Sequence, residues 1–284
     1  MTNQANIIIP NPTRLAEIKA GFKASGAAKI HILADFDRTV TRSFVNGKRL
    51  SSLISVLRDE GYLTPDYPLK AQALSDKYGP LEIDLRLSPE ERKKAMAAWW
   101  REHFNLLIES GLTKKEIAQV IKDSGVVLRP GAAEFFALLK QNDIPLVFLS
   151  ATGLGKECID RFMAQNNLLY PNIDIISNEF IWDKSGRMIG VKEPIIHIAN
   201  KDETLIKDFP CYPKVKDRPN VIIVGDSVDD IAMVEGFNYQ NLVKFGFLNE
   251  KIEENLPYYQ EAYDVIILND GPFDYLNEFL AEVV

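Results

Sequence analysis

The sequence predicts an α/β protein: a Rossmann-like, doubly wound parallel sheet interrupted by an inserted helical cap. Three observations carry that expectation. From Arg129 to the C-terminus, apolar runs of strand length alternate with segments of helical periodicity. One further apolar run, Ile30 to Ala34, stands far upstream and ends on an acid, Asp35. Between the two, residues 45–128 read almost wholly helical. The expected division is 1–44 with 129–284 as the α/β core, and 45–128 as the helical insert.

Taken in order, Leu15, Ile18 and Phe22 recur at helical spacing after Pro12 and before Gly26, which predicts a first amphipathic helix. Ile30 to Ala34 follows as a buried strand. In the insert, Ser88-Pro89-Glu90-Glu91 and Thr113-Lys114-Lys115-Glu116 each place a hydroxyl three residues ahead of a glutamate. In that pattern the two side chains satisfy each other's orphan amides at a helix start. Gly111 and Gly125 are the matching stops. Beyond the insert come a helix over 131–143, a strand over 144–150, a helix over 156–167 and a strand over 173–177. A turn signal at Lys184-Ser185-Gly186, between two short extended runs, predicts a hairpin decorating the sheet. Strands over 220–226, 241–247 and 264–270, with helices between them, complete a sheet covered on both faces.

A chain of 284 residues, 46% hydrophobic and 26% charged, can bury a large core. Its net charge of -7, with no basic block, argues against a nucleic-acid polymer as partner. Two cysteines, Cys158 and Cys211, are too few for a disulfide scaffold and lack metal-ligand spacing, which points to a reducing compartment. The N-terminus lacks a signal-peptide pattern, and no apolar run reaches membrane-spanning length. A cytoplasmic monomer with no membrane partner is therefore expected, acting on a small molecule.

Ligands of doubly wound sheets bind beyond the carboxyl ends of the strands, so the residues there decide the chemistry. The first strand delivers Asp35-Phe36-Asp37-Arg38-Thr39-Val40, a D-x-D-x-T-V pattern. Side chains two apart on a strand project to the same side, which brings two carboxylates into one site. One can attack phosphorus while the other protonates the leaving ester oxygen. A carboxylate attacking a phosphate needs compensating positive charge. The strand before Gly225-Asp226-Ser227-Val228-Asp229-Asp230 supplies acids that can hold Mg²⁺ through oxygen. Ser150, followed by Ala151-Thr152-Gly153, offers a hydroxyl and backbone amides for phosphate oxygens. A neutralising lysine is also needed, and Lys192 and Lys201 both lie in the right interval.

These motifs, in this order, resemble the haloacid dehalogenase superfamily. Across nearly the whole chain the segments NPTRLAEI, DFDRTVTR, KYGPLEID, LRPGAAEFFALL, KEPIIHIANKDETL, NVIIVGDSVDD and VKFGFLNEKIEENL are similar to the cytosolic pyrimidine 5'-nucleotidase (cytosolic 5'-nucleotidase III) family. The resemblance implies Asp35 as nucleophile and Asp37 as general acid and base. It implies Mg²⁺ held by Asp35, the Asp37 carbonyl and Asp226, with Asp230 close by to orient metal-bound water. It selects Lys201 over Lys192, gives Ser150 and Ala151 the phosphate oxygens, and makes the insert a cap that closes over a nucleotide. It places Glu82 at the nucleoside base, and the neighbouring helix could add stacking from Trp99 and a polar contact from His103. The implied activity is hydrolysis of nucleoside 5'-monophosphates, UMP and CMP foremost, with a 7-methylguanosine monophosphate or other phosphomonoester phosphatase as the alternative. An inactive nucleotide-binding scaffold is a more distant one. The family's S-A-G-x-G-D loop reads Ser150-Ala151-Thr152-Gly153-Leu154-Gly155-Lys156, and its Ser-His pair on the cap helix reads His103-Phe104. Both departures fall where substrate choice is decided.

Overall fold

The apolar runs pair as a seven-stranded sheet in the computed structural model, which describes residues 6–82, 84, 86–201 and 206–284. Its strands are β1 (Ile7–Ile8), β2 (Ile30–Ala34), β5 (Leu146–Leu149), β6 (Ile173–Ile176), β9 (Asn220–Gly225), β10 (Asn241–Leu248) and β11 (Val265–Leu268), in the order β1-β11-β10-β9-β2-β5-β6. All neighbours are parallel except β1, which runs antiparallel on the edge. From β2 the chain builds β5 and β6 on one side, then crosses to β9, β10 and β11 on the other. The strand order therefore reverses between β2 and β9, which opens a crevice at their carboxyl ends.

Alternation along the strands explains the two covered faces. Ile30, Ile32 and Ala34 enter one apolar cluster, with Phe22, Phe136, Phe148 and Phe245. Leu33 enters another, with Val147, Val221, Ile223 and Met233. Helices α1 (Pro12–Ser25), α6 (Ala132–Gln141) and α7 (Gly155–Gln165) contribute Leu15, Phe135 and Ile159 to the first cluster. Fully burying one such side chain is worth roughly 1.5–3 kcal/mol, so the central strands that carry the site are anchored by buried apolar side chains on both faces.

Between β2 and α6 the chain leaves the sheet and forms helices α2 (Leu53–Asp59), α3 (Tyr67–Glu82), α4 (Pro89–Glu109) and α5 (Lys114–Asp123). Both expected capping boxes are present, Ser88 with Glu91 and Thr113 with Glu116, and Gly111 and Gly125 take positive φ of 80 and 65 at the helix ends. The insert is less purely helical than expected. It opens with an antiparallel hairpin, β3 (Phe44–Val45) and β4 (Lys48–Arg49), turned by Asn46 and Gly47 at φ 51 and 73. An Asn-Gly pair is the strongest short hairpin signal because both residues tolerate positive φ. The second hairpin forms as expected from β7 (Phe180–Trp182) and β8 (Met188–Val191). Among the described residues no helix is long and apolar enough to cross a membrane.

Candidate active site

Register brings the polar strand ends to one level. Ala34 pairs with Val224 on one side and Phe148 on the other, so Asp35, Gly225-Asp226 and Ser150 all emerge at the same edge. Asp35 continues the ladder with its amide on Val224 O at 3.0 Å, and Ser150 does the same on Ile176 O at 3.0 Å. After Asp37 the backbone turns sharply, with Arg38 in the left-handed region at φ 59 and its amide on Thr41 Oγ1 at 2.9 Å. Lys201 reaches in from the segment after β8 and donates to Asp35 Oδ1 at 2.5 Å and to Asp230 Oδ1 at 3.4 Å. Lys192 instead lies on the surface, paired with Glu179 at 2.6 Å. Of the two lysines that spacing left open, it is Lys201 that lies against Asp35.

The 226–230 turn is built around the Asp230 carboxylate. Its Oδ2 accepts the amides of Asp226 at 3.1 Å and Ser227 at 3.0 Å, closing a capping box with Ser227. Tyr259 and Tyr263 donate their hydroxyls to the carbonyls of Asp226 and Ser227 and pin the turn from behind. Among the described residues, the Asp226 side chain receives only a 3.4 Å contact from Thr39 Oγ1. Its carboxylate therefore faces the cavity with most of its lone pairs uncommitted, whereas that of Asp230 is largely used within the protein.

Electrostatics show what the site lacks. Burial pushes the carboxyl pKa values of Asp35 and Asp37 up against the pull of Lys201. Asp230 rises to about 6, and Asp226 stands well above its ordinary range because burial is joined by repulsion from Asp35 and Asp230. Burial opposes charge on Lys201 too, but Asp35 and Asp230 outweigh it and hold the ammonium protonated. The Lys201 ammonium and the Arg38 guanidinium do not fully offset these carboxylates, and the direction of the shifts is that of a site short of positive charge. A hard divalent cation on Asp35, Asp226 and the Asp37 carbonyl would supply it. Among the described residues no three His, Cys, Asp or Glu side chains form a complete metal cage. Mg²⁺ does not need one, since it takes one or two carboxylates and keeps waters.

A cavity of about 460 Å³ rises from this edge into the insert, and every candidate residue lines it: Asp35, Asp37, Ser150, Ala151, Lys201, Asp226 and Asp230 below, Glu82, Trp99 and His103 above. Trp99 lies nearly parallel to the rings of Tyr78, 6.0 Å away, and Trp100, 6.3 Å away, and these neighbours hold its ring in place before any ligand arrives. Burial raises the pKa of Glu82, offset by the Arg92 charge. His103 is 7% exposed, and burial lowers its pKa to about 4. Its neutral ring meets Gly153 O through Nε2 at 3.2 Å, tying α4 to the loop after Ser150. A second tie is Arg92 Nη2 on Asp229 Oδ2 at 2.9 Å.

Sequence reasoning missed three groups. Thr152 lines the cavity beside Asp37, and its hydroxyl opposes the burial that raises the Asp37 pKa; the loop departure at that position was visible, but this consequence was not. Tyr67 and Ser52 line the cavity from the insert without a motif. Arg129 lies wholly buried behind the loop bearing Asp37, and only its place just after the insert marked it.

A family model described as pyrimidine 5'-nucleotidase (UMPH-1) matches residues 38–284. A human protein named 7-methylguanosine phosphate-specific 5'-nucleotidase is 32% identical over 282 residues, covering 99% of this chain and 93% of that one. Its namesake from Drosophila melanogaster is 30% identical over 267 residues, covering 93% and 83%. A crystal structure of cytosolic 5'-nucleotidase IIIB bound to cytidine superposes with a TM-score of 0.87 at 27% identity, covering 99% of this chain and 94% of that one. A phosphoserine phosphatase, solved as a phospho-aspartyl intermediate analogue, shares the fold with a TM-score of 0.53 at 17% identity, covering 88% and 98%.

Proposed function

Because the chain belongs to the pyrimidine 5'-nucleotidase family, with the haloacid dehalogenase fold, we propose that it hydrolyses nucleoside 5'-monophosphates through a phosphorylated Asp35. Asp35 Oδ forms a bond to phosphorus as the bond from phosphorus to the nucleoside 5'-oxygen breaks. Asp37 gives that oxygen its proton, then takes one from the water that hydrolyses the aspartyl phosphate. The raised pKa of Asp37 suits a carboxyl that must start the cycle protonated. Lys201, Ser150 and the Ala151 amide take the phosphate oxygens and offset the charge that Asp35 brings. Mg²⁺ on Asp35, the Asp37 carbonyl and Asp226 would neutralise phosphate charge, with Asp230 fixing the turn that carries Asp226. Residues 45–128 act as the cap over the reacting phosphate, and cytoplasmic residence as a monomer belongs to the same proposal. The observation that carries the reading is Lys201 against Asp35 at 2.5 Å, in a cavity that Asp226 also lines.

Glu82 and Trp99 narrow the base. A half-buried carboxylate favours a base that donates to it or carries positive charge, and a fixed indole face favours a flat cation. Cytosine and 7-methylguanine meet these terms. Uracil meets them less well, since its one donor on that edge, N3–H, is flanked by two carbonyl oxygens that a carboxylate repels. The expected order of initial rates is therefore CMP and 7-methyl-GMP ahead of UMP and phosphoserine. Equal rates on all four would overturn the nucleotidase assignment. Glu82→Gln should lower kcat/KM on the two favoured nucleotides by about 10-fold or more while sparing p-nitrophenyl phosphate.

A further inference from the structure

Arg129 has no place in the chemistry above, yet its side chain is 0% exposed and each of its three side-chain nitrogens is engaged. Nε donates to Thr39 O at 2.7 Å, and Nη1 donates to Gly271 O at 2.9 Å. Nη2 serves Arg38 O, Thr41 O at 3.4 Å and Asn249 Oδ1 at 3.2 Å. The guanidinium lies 4.0 Å from the centroid of Phe247. Its counter-ion, Asp270 at 3.1 Å, accepts the amides of Ser43 at 2.8 Å and Phe44 at 3.2 Å.

We infer that Arg129 is a positioning residue for the loop that bears Asp37, acting through the carbonyls of Arg38, Thr39 and Thr41 and not on the substrate. Where the chain leaves β2 and turns left-handed at Arg38, those carbonyls lose their ladder partners and point inward. A buried carbonyl without a donor is costly, and a planar fork of N–H groups can satisfy several at once where an ammonium cannot. Arg129 and Asp270 together bracket the stretch 38–44, one holding its carbonyls and the other its amides. The same node joins the two linkers of the insert, because Arg129 N donates to Val40 O at 2.8 Å and Arg42 N to Val127 O at 3.0 Å. The backbone one residue beyond Asp37 is thus fixed from below, at the point where the insert departs and returns. The inference rests on the proposed role of Asp37 as acid and base.

The test uses the full chain with Arg129→Lys and Arg129→Met. Lysine keeps the charge opposite Asp270 but not the fork. Both variants should lose about 100-fold in kcat on p-nitrophenyl phosphate, with KM within about threefold of wild type. Amide exchange over 38–44, followed by mass spectrometry, should quicken in both while the central strands stay protected. Wild-type kcat and unchanged exchange in Arg129→Lys would overturn the inference and leave a plain ion pair. A loss confined to KM would overturn it in favour of substrate contact. A wild type silent on every ester would defeat the reading of Asp35 and Asp37, while the exchange measurement would still decide what Arg129 does to the loop. If Arg129→Met does not fold, Arg129→Lys carries both readouts.

Discussion

Asp35 and Lys201 form a short ion pair in a pocket where carboxylates outnumber cations, so each can be probed by removing one charge. Asp35→Asn removes the proposed attacking oxygen, and turnover on CMP should fall below detection while circular dichroism stays that of the wild type. Lys201→Met should lower kcat by about 10²–10³, the scale of losing one preorganised charge-stabilising group, as steady-state rates on the same substrate would show. Asp35, Asp37, Asp226 and Ser150 were legible in the sequence because each lies in a local motif just after an apolar strand, the first two after the same one. Lys201 was not, because it arrives from an irregular segment and spacing alone favours it no more than Lys192. Arg129 was least legible: its partners are carbonyls of a loop about ninety residues away, a separation of 90 to Thr39, and backbone acceptors leave no mark on composition.

Secondary-structure elements place these groups through their ends. Gly155 starts α7 just after the phosphate loop at φ 66, and a Cβ there would stand 2.5 Å from Asn178 O. Gly155→Ala should therefore cost roughly 1–3 kcal/mol, read as a lower urea midpoint, since neither the backbone acceptor nor the left-handed turn can easily yield. Ser88→Ala removes one half of the capping box of α4 and should cost about 1 kcal/mol, read in the same way. That box was visible from sequence because its two members are three residues apart. The Phe44–Arg49 hairpin had an equally local signal in Asn46-Gly47, which the strong helical periodicity around it overrode. The edge strand Ile7–Ile8 was not foreseen, because two residues carry no period and only the partner β11 makes them a strand.

For the whole molecule, all three histidines are buried and held neutral, and of these only His31, inside the apolar run Ile30 to Ala34, was marked for burial by the sequence. Burial lowers His31, His103 and His197 each from 6.5 to about 4. Their folded pKa values lie below the unfolded value, so the unfolded chain binds protons first as pH falls. The stability they contribute is complete above pH 6.5 and is lost toward about 4, of order 3 kcal/mol for each. Asp230, raised to about 6, works in the opposite sense and offsets part of this loss. His31 isolates the effect because its Nδ1 donates to Arg218 O at 2.7 Å at the far end of β2 from the site. His31→Asn can keep that donor without titrating. Wild type should lose about 3 kcal/mol relative to the variant between pH 7 and pH 4 in urea unfolding; parallel curves would refute a neutral His31. The account's central claim, that a nucleotide's phosphate passes through Asp35, is tested most directly by quenching turnover on CMP with borohydride and mapping the peptides by mass spectrometry. The account predicts conversion of residue 35 from aspartate to homoserine, dependent on both nucleotide and Mg²⁺. Reduction at another carboxylate, or at none in an enzyme that is turning over, would contradict it.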